Sequence, residues 1–153
     1  MSKKTLKSTQ VFTPSWATNQ MMDLLRANGS GDERLADDET FFFEPSVGDG
    51  QMLIVILDRV HGALLKRYKG DKEKALADLC FKFYAIDLCA EMVVACRLRL
   101  FEYFKKNLNE VNKEVFSSYV LARILHEKIE HKDFFKFMKN GASLKIKHEG
   151  VGK

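Results

Sequence analysis

The chain is poor in the features that would assign its class directly. Its longest wholly apolar run, 52–57, is far shorter than the roughly 20 residues of a transmembrane helix. The lysines near its start are not followed by an apolar stretch, which argues against a signal peptide. Three cysteines form no C-x-x-C pair, and four histidines show no metal-ligand spacing. These absences predict a reduced, cytoplasmic protein that needs neither a membrane nor a metal ion.

The composition is that of one folded domain. Of 153 residues, 46% are hydrophobic and twelve are phenylalanine, which suffices for a core and argues against disorder. The net charge of +4 is compatible with a nucleic-acid partner and equally ordinary for a lysine-rich protein. A lysine cluster near the carboxyl end allows a basic nucleic-acid-binding module, although a solvated face is the usual meaning of such clusters: Lys136, Lys139, Lys145, Lys147 and Lys153.

Apolar periodicity predicts alternating helices and strands. Helical patterns start at Pro14, Gln51, Asp71 (as an N-cap), about 90 and about 114. Strand patterns cover 40–43, 81–86, 129–133 and, marginally, 143–148, and the polar stretch 28–39 indicates a loop. Such alternation is typical of the α/β class, with a parallel sheet flanked by helices. We predict a flexible arm at 1–10, one domain over 11–148 and a tail at 149–153.

Three of the predicted strands end on carboxylates, Glu44, Asp87 and Asp133. Ligands of open parallel sheets bind outside the carboxyl ends of the strands, so the three acids are expected to converge on one rim. The segment after Glu44 contains Gly48 and Gly50, which permit a tight turn and a close approach of a ligand to the backbone.

The charge of this loop restricts its ligand. A phosphate loop of the form G-x-x-x-x-G-K-[ST] needs a lysine, whereas this loop has none and carries Glu44 and Asp49. A dinucleotide fingerprint would need glycine at position 53, where Leu53 stands. Carboxylates suit an ammonium group and ribose hydroxyls and repel pyrophosphate. S-adenosylmethionine has an ammonium, a sulfonium and a ribose but no phosphate, so it is the favoured ligand.

Ordinary structural roles remain open for each of these residues. A lone G-x-G is common in turns that bind nothing. Asp87 precedes a predicted helix and suits an N-cap, and Asp133 could equally be a capping residue. Only the joint placement of the acids at strand ends favours a ligand site.

These motifs resemble the amino-terminal, cofactor-binding part of adenine-N6 DNA methyltransferases of the restriction–modification type. Phe43 to Gly50 is similar to that family's central loop motif, and 11–14 (Val-Phe-Thr-Pro) resembles its amino-terminal motif. The segment 84–87 resembles the strand whose terminal acid holds the ribose. The segment 129–134 resembles the one that contacts adenine, although Lys132 replaces a common glycine. The resemblance covers about 11–137 and implies a partial Rossmann-like class I methyltransferase fold.

The resemblance implies a role for each matching residue. Glu44 would meet the ammonium of S-adenosylmethionine, Asp87 the ribose hydroxyls and Asp133 the adenine amino group. The other residues that the resemblance assigns to the cofactor surround these three: Phe12, Thr13 and Pro14 on the methionine side, Pro45, Ser46, Gly48 and Gly50 in the loop, Leu88 after the ribose acid, and Phe134 against the adenine ring.

The family's catalytic motif, Asn/Asp-Pro-Pro-Tyr/Phe, is missing. The chain has only two prolines, Pro14 and Pro45, and both belong to other motifs. The sequence ends about twenty residues after Asp133, near where the motif is expected. No catalytic residue is therefore predicted, and base flipping and methyl transfer would need a further part of the enzyme.

Two interpretations follow from this resemblance. The first is the cofactor-binding portion of a DNA adenine-N6 methyltransferase, inactive without a complementary chain that supplies catalysis and DNA recognition. The alternative is a non-catalytic interaction or regulatory protein derived from a methyltransferase, which pairs with an intact subunit. In either case a partial sheet could leave an edge or an apolar face uncovered, which predicts self-association.

Overall fold

A computed structural model of the protein describes residues 12–26, 31–108 and 117–140. The strands in these ranges are β1 (Phe42–Glu44), β2 (Phe83–Asp87) and β3 (Ile129–His131). The helices are α1 (Ser15–Arg26), α2 (Gln51–Arg67), α3 (Lys72–Leu79), α4 (Ala90–Leu108), α5 (Ser118–Lys128) and α6 (Phe134–Lys139), and a 3₁₀ helix covers Asp32–Ala36. The predicted arm, the tail and the strand at 143–148 lie outside the described residues.

The three strands form a parallel sheet in the order β1-β2-β3. Phe42 pairs with Phe83 and Glu44 with Ala85, and on the other side of β2 Ala85 pairs with Ile129. Parallel neighbours need a crossover, which α2 and α3 provide between β1 and β2, and α4 and α5 between β2 and β3. The protein is thus an α/β protein with a small parallel sheet flanked by helices, and this part of the prediction is confirmed.

One face of the sheet carries the main core. Side chains alternate along β2, so Phe83 and Ala85 point to the same side, and both are fully buried. The helices pack there with buried side chains at helical spacing: Leu53, Leu57, Val60 and Leu64 from α2, and Val93, Cys96, Leu100 and Phe104 from α4. These are the apolar positions that the periodicity of the sequence predicts for both helices.

The opposite face carries a smaller aromatic cluster. Phe43 and Tyr84 are adjacent in register, and their rings stack with centroids 5.9 Å apart. α6 lies over them, because the Phe137 ring is 5.9 Å from Phe43 and the Phe134 ring 6.2 Å from it. The ammonium of Lys132 lies 5.6 Å from the centre of the Tyr84 ring. None of the residues of α6 is fully buried, so this second layer is thin.

The stretch predicted as a loop over 28–39 contains the 3₁₀ helix, and this expectation was wrong for 32–36. Leu35 and Ala36 are buried because this segment packs against α2. Two cations from other elements hold it: the Arg67 guanidinium donates to the Ala36 carbonyl, and Lys82 Nζ donates to the Asp37 carbonyl at 2.6 Å. The polar composition of 28–39 gives no indication of these long-range contacts.

The helix starts follow the local sequence. Asp71 caps α3 as predicted, since its side chain accepts from Lys74 N at 3.1 Å. Ser117 does the same for α5, accepting from Val120 N at 3.2 Å. α6 was not predicted: the predicted third strand ends at Asp133, and no element was assigned to the four apolar residues and two lysines that follow it.

His61 in α2 predicts a loss of stability in mild acid. The residue is 9% exposed, and its Nε2 has no hydrogen-bond partner in the described structure. Burial lowers its pKa from the usual 6.5, and the nearby Asp58 only partly opposes this. The unfolded chain therefore takes up a proton more readily than the folded protein. Stability is fully present above about pH 6.5 and is lost as the pH falls toward the lowered value.

Thermal unfolding at about pH 7.5 and about pH 5.5 measures this effect. The fall in Tm between the two should be clearly smaller in His61→Leu than in the wild type. His126→Gln, at an exposed position of α5, is the matched control and should keep the full decrease. An equal decrease in all three proteins would contradict the assignment to His61.

Candidate functional site

The loop after β1 is folded back onto β2. Ser46 N donates to the Glu44 carboxylate at 3.0 Å, and Val47 N donates to the Ile86 carbonyl at 3.1 Å. Gly50 N then donates to the Val47 carbonyl at 3.0 Å, which closes the turn before α2. Backbone bonds thus hold the loop at the carboxyl end of the sheet, where parallel sheets bind ligands.

Asp87, the last residue of β2, holds this loop in place. Its side chain is 7% exposed, and one carboxylate oxygen accepts from Gly48 N at 2.8 Å. The other oxygen accepts from Cys89 N at 2.8 Å, just before α4 begins. A single buried carboxylate therefore joins the end of β2 to the loop after β1 and to the start of α4.

Glu44 and Asp87 form a pair of acids without a countercharge. Burial raises the pKa of Glu44, the hydrogen bond from Ser46 opposes this, and the negative charge of Asp87 adds to the increase. Within the described ranges, no ion pair joins Glu44 or Asp87 to a lysine, arginine or histidine. A nearby cation would stabilise the charged form of Glu44, which burial and the second acid disfavour.

Asp49, the second acid of the loop, has a different role. Asp49 pairs with Arg99 of α4 at 2.5 Å, and its second oxygen accepts from Gln51 N at 3.2 Å at the start of α2. Its charge is therefore largely offset. The sequence argument counted Asp49 together with Glu44 against phosphate ligands, but Arg99 was not visible from the local sequence, and the argument now depends on Glu44 and Asp87.

The two glycines of the loop have different surroundings. Both have positive φ, 55° at Gly48 and 84° at Gly50. A Cβ at Gly50 would lie 2.7 Å from Cys96 Sγ, so this glycine allows α2 to pack closely on α4. A Cβ at Gly48 would meet nothing within 4 Å. Open space for a ligand is therefore found at Gly48, while Gly50 has a packing role of its own.

The end of β3 adjoins the same edge. Lys132 N donates to the Asp87 carbonyl at 3.0 Å, and His131 Nε2 lies 2.9 Å from the Leu88 carbonyl oxygen. The carboxylate of Asp133 caps α6 and accepts from Phe135 N at 2.9 Å and Lys136 N at 3.2 Å. The structure thus brings Glu44, the loop and Asp87 together, and places Asp133 beside them in a capping role.

The apolar residues that were assigned to the cofactor differ in exposure. Leu88, directly after Asp87, is 70% exposed at the rim. Phe134 packs against Phe43 on the second face of the sheet, so its ring already has a partner.

Phe12, Thr13 and Pro14 lie at the start of α1, where the Pro14 carbonyl accepts from Ala17 N and Thr18 N at 3.0 and 3.1 Å. Arg59 of α2 forms an ion pair with the carboxylate of Asp23 in α1, with an N–O distance of 2.9 Å. These contacts fix α1 beside the helix that begins at the loop.

Comparison with known proteins adds no relative. No protein-family model, no curated protein and no solved structure matches the chain. In the part of the chain that the structure describes, no helix combines the length and apolar character needed to cross a membrane. Within the same residues, no three His, Cys, Asp or Glu side chains are grouped so as to hold a metal ion.

Proposed function

We propose that the rim formed by Glu44, residues 46–50 and Asp87 binds S-adenosylmethionine. The observation that supports this is the half-buried Glu44, which has no ion-pair partner among the described residues and lies near Asp87 and the open backbone segment at Gly48. An ammonium group would offset the charge of Glu44 and vicinal hydroxyls would donate hydrogen bonds to Asp87, whereas a phosphate would be repelled by both acids. The chain would then be the cofactor-binding portion of a Rossmann-like class I DNA adenine-N6 methyltransferase.

Each acid has a defined task in this proposal. Glu44 accepts from the ammonium of the methionine moiety. Asp87 uses the lone pairs left over from its two backbone bonds to accept from the ribose hydroxyls. The exposed Leu88 packs on the adenine ring, and Asp133 accepts from the adenine amino group while keeping its helix cap.

The chain holds the methyl donor but has no group that presents the acceptor. Methyl transfer to adenine needs a polar side chain and an aromatic platform for the flipped base, and the Asn/Asp-Pro-Pro-Tyr/Phe motif that supplies both is not in this sequence. We therefore assign catalysis and DNA recognition to a complementary part of the enzyme that these 153 residues do not include. We place the assembly in the cytoplasm, where its three cysteines stay reduced.

A non-catalytic interaction protein is the second candidate, and the bonding of Asp87 favours it. Both carboxylate oxygens already accept from backbone amides, so Asp87 has a sufficient structural role without a ligand. In that case the acids preserve the fold after cofactor binding has been lost.

A calorimetric titration of the pure chain with S-adenosylmethionine tests the proposal. We expect saturable binding with a Kd in the micromolar range, about −8 kcal/mol. ATP, which shares the adenosine but adds phosphates, should bind at least tenfold more weakly. The chain alone should transfer no methyl group to DNA. Absence of heat with S-adenosylmethionine would reject cofactor binding and leave the interaction protein as the account of the fold.

A further inference from the structure

The outer face of α1 is apolar and carries no ionisable residue. This α1 face consists of Trp16, Ala17, Gln20, Met21, Leu24 and Leu25. Trp16 is 64% exposed and Leu24 71% exposed, and Met21 and Leu25 are also more than half exposed. At about 100° per residue, these six positions cover roughly half of the helix circumference. Such a wide apolar stripe on the outside of a helix normally has a partner.

The other side of α1 accounts for its attachment to the domain. Thr18 and Met22 point inward and are buried. Asp23, the acid of this helix, is bound by Arg59 at 2.9 Å. Among residues 12–26, 31–108 and 117–140, the core and the ion pair use one half of the helix, and the α1 face is the half that is largely exposed.

Two other exposed apolar residues have charged neighbours in the sequence. Leu98 of α4 lies between Arg97 and Arg99, and Phe135 of α6 is followed by Lys136. The α1 face is uncharged, so two copies can meet without electrostatic repulsion, as a twofold interface requires.

The size of the face fits a small dimer. Its large side chains are Trp16, Met21, Leu24 and Leu25. With large side chains that each expose about 100 Å² or more, the patch measures about 500 Å², near the upper end for a monomer. Two copies would bury about 1,000 Å², the lower limit for a specific interface.

We propose that the protein forms a homodimer in which the α1 faces of two copies pack against each other about a twofold axis. The two helices run antiparallel, and this arrangement of their dipoles is electrostatically favourable. The dimer does not depend on cofactor binding, since α1 contacts its neighbour through the side turned away from Arg59. For an interface of this size we expect a dimer dissociation constant in the micromolar range.

Trp16 makes the test direct, because it is the only tryptophan of the chain. Sedimentation velocity of the full chain from about 1 to about 100 µM should show a shift from monomer to dimer. Over the same range, Trp16 emission should move to shorter wavelength and acrylamide quenching should fall at least twofold. Leu24→Lys and, independently, Met21→Lys should raise the dimer dissociation constant more than tenfold.

Leu98→Lys is the matched control, because Leu98 is 63% exposed on a helix outside the α1 face. It should dimerise as the wild type does, and far-UV circular dichroism should show all three variants folded. A monomer at every concentration, with Trp16 fully open to quencher, would overturn the proposal. So would a dimer that persists unchanged in both α1 variants, or one that Leu98→Lys abolishes.

Discussion

Asp87→Ala is expected to destabilise the protein by about 3–5 kcal/mol and to abolish S-adenosylmethionine binding. The carboxylate is buried and accepts from two backbone amides, Gly48 N and Cys89 N, and each hydrogen bond to a charged group contributes about 1.5–3 kcal/mol. Truncation leaves both amides without their acceptor and releases the loop from β2. Chemical denaturation followed by circular dichroism gives the loss of stability.

Two variants distinguish the role of Asp87 in holding the loop from the role of an ordinary helix cap. Asp87→Asn keeps one acceptor oxygen and should lose about half as much stability as Asp87→Ala. Asp71→Ala removes a single exposed cap at the start of α3 and should cost much less stability than Asp87→Ala. A cost for Asp87→Ala no greater than that of Asp71→Ala would show that the loop is not held by this carboxylate.

Gly50→Ala should cost about 2–4 kcal/mol for two independent reasons. The backbone at φ 84° disfavours any residue with a Cβ by about 1–2 kcal/mol. The added methyl would lie 2.7 Å from Cys96 Sγ and 3.2 Å from a methyl of Leu100, which forces α2 and α4 apart. Urea denaturation of the variant and of the wild type gives the difference in the free energy of unfolding.

The two causes can be measured separately. Gly48→Ala has the backbone strain but no neighbour within 4 Å, so it should cost only about 1–2 kcal/mol. A Cys96→Ala background removes the contact with Cys96 Sγ. In that background the loss of stability caused by Gly50→Ala should fall to a similar value. Equal effects of Gly50→Ala in both backgrounds would contradict the close packing of the loop on α4.

Helices and strands with local causes were predictable from the sequence. The buried stripe of α2 and that of α4 follow from apolar spacing, and the cap of α3 follows from Asp71. The 3₁₀ helix was missed because its stability depends on Arg67 and Lys82, which are distant in sequence. α6 was missed because its two inward rings pack on Phe43 and Tyr84, a contact that no local pattern encodes.

The candidate site was predictable in its acids but not in its electrostatics. Strand ends placed Glu44 and Asp87 on one rim, as the parallel order of the sheet requires. The bond between Asp87 and Gly48 joins residues 39 positions apart, and the Asp49–Arg99 pair joins residues 50 apart. Such pairings arise only when the helices have packed. With Asp49 paired to Arg99, ligand charge selection depends on Glu44 and Asp87.

Titration of S-adenosylmethionine into Glu44→Gln and Asp49→Asn tests the central claim most directly. Glu44→Gln removes the charge that would meet the ammonium and should weaken binding about tenfold or more. Asp49→Asn removes a carboxylate already paired with Arg99 and should change affinity less than about threefold. In the wild type, affinity should also fall as the pH is lowered toward the raised pKa of Glu44, where the carboxylate is neutralised. Equal affinities of Glu44→Gln and wild type would contradict the account.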